Sequence, residues 1–194
     1  MKPLRIDVSD AWLRQAESDL RTAEALLKMP APMEQGDVSC QVLAKLAQSV
    51  EKSIKGYVLL SQSEVKHSHR ADRYLPVLLD RKLAFAEPTH HAKLATLFGL
   101  REKTIVRQLL DWTPGTLGKS DIPNTEYPWK QQSASQYQTP YASTTLVQGD
   151  ALADYARVCR RIVETLRKLW FAYSRRPQPE AKLVQDAETV QPAP

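Results

Sequence analysis

The chain has 194 residues, of which 42% are hydrophobic and 25% charged, and a formal net charge of +5 at pH 7. This is the composition of one globular domain with enough apolar side chains for a core, and the modest cationic excess points toward RNA or an acidic partner without choosing between them. No run approaches the roughly 20 apolar residues of a membrane span and the first residues form no apolar secretory segment, so a cytoplasmic protein with no membrane association is expected.

The first helical stretch covers residues 11–27, where Leu13, Ala16, Leu20, Ala23 and Leu27 recur every three or four positions, the period of a helix with one buried stripe. Ser9 or Asp10 is its expected N-cap, and residues 30–36 end it. A second helix over about 38–60 carries the stripe Leu43, Leu46, Ala47, Val50, Ile54, Tyr57 and Val58. A shorter third, about 69–82, contains Pro76, which should kink or restart it. Pro88 at a first-turn position opens a fourth helix through about residue 112, striped by Leu94, Leu97, Phe98, Leu100, Ile105 and Leu109.

Residues 113–150 show no helical period, a length far beyond the usual connection inside a bundle. Tyr127, Trp129, Tyr137 and Tyr141 in this stretch either pin it to the bundle or form a ligand or partner surface. The last helix is the clearest, because Leu152, Tyr155, Cys159, Ile162, Leu166, Leu169 and Tyr173 hold a three-four alternation that belongs in the middle of a bundle, with a coiled coil against another chain as the alternative. The expected fold is all-α, an up-and-down antiparallel bundle of about five helices in residues 1–176 with a long irregular loop before the last, followed by a disordered tail over 177–194. Cys40 and Cys159 fall on apolar helical faces and read as buried free thiols rather than a disulfide.

The second helix also carries charge. Glu51 and Lys55 stand four apart and adjoin, as do Gln48 and Lys52, and spacing alone reads as a solvated face with a weak ion pair. The last helix concentrates Arg157, Arg160, Arg161, Arg167 and Lys168, followed by Arg175 and Arg176, which suit either a solvated face or phosphate contact. His67, His69, His90 and His91 have no Cys or carboxylate at ligand spacing, so no metal is expected. Neither a Gly-rich phosphate loop nor a Gly-x-Ser-x-Gly elbow occurs, and no cofactor is expected.

The wording AQSVEKSIKG at 47–56 resembles the second helix of HEPN domains, the helical nucleotide-binding domains of prokaryotes and higher eukaryotes, whose usual form reads roughly A-Q-Q-A-x-E-K-x-x-K. Residues 11–27, AWLRQAESDLRTAEALL, look like that family's first helix with its Trp and its Ala-x-x-Asp-Leu core. His69 followed by Leu75 is a looser version of its Thr-His-x-Leu turn, and Tyr127-Pro128 resembles its Tyr-Pro step. The resemblance implies a homodimer that binds a nucleotide or RNA, with Lys52 and Lys55 as phosphate contacts, Glu51 orienting them, His69 at the mouth of the same cleft, and Tyr127 and Trp129 covering it. It also implies a nucleotidyltransferase partner in a toxin–antitoxin or defence system. The family's nuclease motif, an Arg and a His separated by four to six residues, is absent: the arginine nearest upstream of His90 is Arg81, with eight residues between them, and the last helix has no histidine. The expected function is therefore a non-catalytic nucleotide- or RNA-binding and partner-binding module. The alternatives are a metal-independent RNase using His69 with Arg70 or Arg73, in which the His moves protons and the Arg stabilises phosphate charge, and a structural dimeric adaptor.

Overall fold

The stripe of Leu13, Ala16, Leu20 and Ala23 does form a helix, α1 (Ile6–Leu27), and buries against α2 (Ser39–Val58). The structure, a computed structural model, describes residues 6–29, 38–60, 65, 69–80, 88–112, 129–130, 137–138 and 150–175. The remaining elements are a 3-10 turn at Ala71–Tyr74 running into α3 (Leu75–Leu78), then α4 (Pro88–Leu97), α5 (Leu100–Asp111) and α6 (Asp150–Ser174). Among the described residues the protein is all-helical apart from one short ladder, in which β1 (Trp129–Lys130) pairs antiparallel with β2 (Tyr137–Gln138) in the register Trp129 to Gln138.

At the centre stands α2, which packs on α1, α5, α6 and the 3-10 turn. Only Gln41, Lys45, Gln48 and Lys52 of this helix escape burial, a single narrow stripe at three- and four-residue spacing. The first helix runs antiparallel to both α2 and α6. Its start lies beside the end of α2 through Ser9, whose Oγ donates to the Gly56 carbonyl at 2.5 Å, while Asp19 reaches Lys45 and Lys52 further back. Towards α6, Asp10 meets Arg167 and Glu24 meets Arg160. Gly56 permits the close crossing of α1 and α2: a Cβ there would lie 3.0 Å from Trp12 Cβ and 3.2 Å from Leu13 Cγ.

Three expectations change. Helix α1 begins at Ile6, so Ser9 and Asp10 are interior residues that bond across helices instead of capping. The expected third helix contracts to the 3-10 turn and the single turn α3. Pro76 restarts the helix, as one of its two expected effects, by sitting in the first turn of α3, where its missing N–H breaks no helical hydrogen bond. The expected fourth helix is two. Gly99 takes extended backbone (φ −64°, ψ 178°) as the N-cap of α5, and Glu102 at N3 folds back until its Oε2 would be 2.8 Å from a Cβ on that glycine. The break shifts the helical phase, so Leu100 is 85% exposed while Leu94, Leu97, Phe98, Ile105 and Leu109 stay in the core.

In α6 the seam holds as read, with Leu152, Cys159, Ile162, Leu166 and Leu169 buried and Tyr155 and Tyr173 packed at its edge. The Trp112 and Tyr155 rings stack at 6.3 Å with planes 8° apart, and the Tyr155 hydroxyl donates to Gln108 Oε1 at 2.5 Å, tying α6 to the end of α5. Cys40 and Cys159 are buried and not joined in a disulfide, and burial pushes the Cys159 thiol far above its ordinary value. Among the described residues no helix is long and apolar enough to cross a membrane. Tyr127, Tyr141, His67 and the tail expected over 177–194 lie outside the described residues.

Candidate functional site

Glu51 and Lys55 form the expected pair, Nζ to Oε1 at 2.7 Å, but in the interior: Lys55 is 2% exposed and Glu51 7%. The solvated face expected from their spacing is the neighbouring stripe of Lys45, Gln48 and Lys52. The second carboxylate oxygen of Glu51 lies 2.8 Å from His69 Nδ1. A carboxylate that already accepts from Lys55 can only accept again, so Nδ1 is the donor, and the His69 side chain is 42% exposed. His69 enters from the segment before the 3-10 turn, and that turn packs on α2.

Lys52 turns the other way. It bonds Asp19 of α1, which also accepts from Lys45 at 3.3 Å and Gln15 at 3.4 Å. Asp19 is 4% exposed, so one buried carboxylate serves two ammonium groups that themselves reach solvent, with side chains 34% and 26% exposed for Lys45 and Lys52. Between the two clusters stands Trp12. Lys55 Nζ lies 5.6 Å from its ring centroid, a cation–π distance, and the indole lines a recess of about 250 Å3 with Ala11, Gln15 and Lys52.

Of the six residues expected at a ligand, the fold thus joins Glu51, Lys55 and His69 into one hydrogen-bonded group and places Lys52 in a separate cluster with Asp19. Tyr127 lies outside the described residues, and Trp129 is described only as part of its strand. Trp12, Asp19 and Lys45 were not among the expected residues. Asp19 carried a signal, since it stands three residues after Ala16 and next to Leu20, a carboxylate on the buried stripe that demands a cation from a neighbouring helix.

Arg70, one candidate to assist His69, is held by Asp72 in a two-pronged pair at 2.8 and 2.9 Å and by Asp111 at 2.5 Å. The Asp72 hydrogen bonds outweigh burial and, with Asp111, push its guanidinium above the ordinary value. Arg73 is exposed. The basic residues of α6 are also largely engaged: Arg157 with Asp154, Arg160 with Glu24, Arg161 with Glu102, and Arg167 with Asp10 at 2.5 Å and Glu17 at 3.4 Å. They are inter-helix fasteners as much as a cationic surface. Among the described residues no group of His, Cys, Asp and Glu is arranged to hold a metal ion. No family model, curated protein or solved structure matches the chain.

Proposed function

We propose that the protein is a HEPN-type helical module that binds RNA or a nucleotide without cleaving it, acts as a homodimer and docks a protein partner, for which the sequence resemblance implies a nucleotidyltransferase of a toxin–antitoxin or defence system. The observation that supports this reading is the recess on α1 and α2 that Trp12 and Lys52 line together. An aromatic face next to a cation is the pairing used by sites that hold single-stranded nucleic acid, the ring stacking on a base and the ammonium meeting its phosphate. Lys52 and Lys45 supply the reachable charge. Lys55 and Glu51, closed off from solvent, hold Trp12 and His69 in place from behind.

The test is affinity for a single-stranded RNA oligonucleotide across a salt series, for wild type and Lys52→Ala. Loss of one phosphate contact should flatten the log–log salt dependence by roughly 0.7. Equal slopes would remove the recess from the RNA site.

One observation favours a second reading, metal-independent RNA cleavage: Glu51 holds His69 through Nδ1 while the imidazole side chain remains 42% exposed, as a proton-transfer group requires. Against it, Arg70 is committed to two aspartates. RNA left intact by the purified protein in chelator supports the binding module, whereas cleavage abolished by His69→Ala would establish the enzyme.

A further inference from the structure

A larger cavity, about 550 Å3, opens between α4 and α6 and shares no residue with the recess at Trp12. Its volume is that of small-molecule sites, for which about 300–1,000 Å3 is usual. The wall is divided chemically. Lys93 of α4 and Arg161 and Lys168 of α6 contribute three cations, among the described residues no Asp or Glu lines the cavity, and Leu97, Leu169 and Ala172 supply an apolar floor. Leu97 and Leu169 are buried core residues, so the floor is fixed by the packing of the bundle.

The three cations are available to different degrees. Among the described residues Lys93 makes no ion pair. Lys168 stands 4.0 Å from Glu164 with both side chains more than half exposed, a contact that water and salt largely screen. Arg161 gives one Nη to Glu102 and retains further N–H donors of its planar fork. Three cations from two helices, two of them with only one carboxylate each set outside the described lining, favour a compact dianion over a single carboxylate, and the adjoining apolar floor favours a ligand with a flat or aliphatic body.

We infer that the α4–α6 cavity is a binding site for a small phosphate monoester with a compact apolar body, its phosphate held by Lys93, Arg161 and Lys168 and its body lying on Leu97, Leu169 and Ala172. Phosphate carries close to two negative charges near neutral pH and three acceptor oxygens, which matches three donors approaching from two sides. The site is independent of RNA binding at Trp12 and stands whether or not that reading holds.

Titration calorimetry on the full chain tests it, with naphthyl phosphate as probe and naphthol and inorganic phosphate as its separated halves. Naphthyl phosphate should bind one per chain, more tightly than either half. Lys93→Ala should weaken it about tenfold, the usual worth of a charge-assisted contact. Ala172→Trp, a change at an exposed position that fills the cavity, should abolish it, while Lys52→Ala should leave it unchanged. Circular dichroism confirms that each variant keeps its helices. Absent binding, equal affinity for inorganic phosphate, or an unchanged affinity in Lys93→Ala would each overturn the assignment. A loss in Lys52→Ala alone would place phosphate binding at the other recess and overturn it too.

Discussion

Lys52 and Lys55 differ by less than one helical turn in sequence and occupy different physical environments. Lys55 is enclosed, so removing its ammonium leaves Glu51 buried with only His69 as partner. Lys55→Ala should cost roughly 3–5 kcal/mol in denaturant unfolding, the range for stripping one partner from a buried pair. Lys52→Ala should cost about 1 kcal/mol or less, because Lys52 is partly exposed and Lys45 still answers Asp19. Comparable losses for the two would contradict the burial difference. Asp10 gives the pH dependence. Burial works to raise its carboxyl, but hydrogen bonds and charges from Arg167 and Arg14 outweigh it and hold the group below the ordinary carboxylate range. A depressed folded value means that the stabilisation is present above the unfolded value, near pH 4, and is lost as pH falls through the folded one. Melting temperature followed from about pH 6 to pH 2 should therefore fall less steeply in Asp10→Asn than in wild type, the variant having already lost that contribution.

At the scale of elements, the α1–α2 crossing turns on Gly56. Alanine is the better helix former by about 1 kcal/mol, yet its Cβ would press on Trp12 Cβ at 3.0 Å and on Leu13 Cγ at 3.2 Å. Both neighbours are fixed by packing, so Gly56→Ala should destabilise by about 1–2 kcal/mol and a larger side chain by more, read as a lower denaturant midpoint with an unchanged slope. A rise in stability would mean that the helices can part without loss. The bodies of α1, α2 and α6 were legible in the sequence because each has a long apolar stripe of helical period, which local spacing reports directly. The break at Gly99 was not, since an apolar count passes over the glycine and takes Leu100 for a member of the stripe. The polarity of α2 was half legible: the Glu51–Lys55 spacing gave the pair, but which stripe faced water depended on α1, α6 and the 3-10 turn covering the rest. Contacts such as Lys52 to Asp19, 33 residues apart, have no local signature, and neither does the α4–α6 cavity.

For the whole molecule, the net charge of +5 is less concentrated than the run of arginines in α6 suggests, because four of them are spent on carboxylates of α1, α5 and α6 itself. The homodimer of the proposed function belongs to this scale. Light scattering at tens of micromolar should return twice the 22.0 kDa chain mass, and the single-chain mass would refute that part of the proposal. The position of α2 has a further consequence for how the protein is made. Its cover includes α6, which begins roughly 90 residues later and so leaves the ribosome roughly 5–18 s afterwards at ordinary rates of synthesis. During that interval α2 has α1 to pack on but not α6, and the nascent chain presents a greasy groove to whatever is at hand. Holdase chaperones and premature self-association compete for that groove until the final helix closes it.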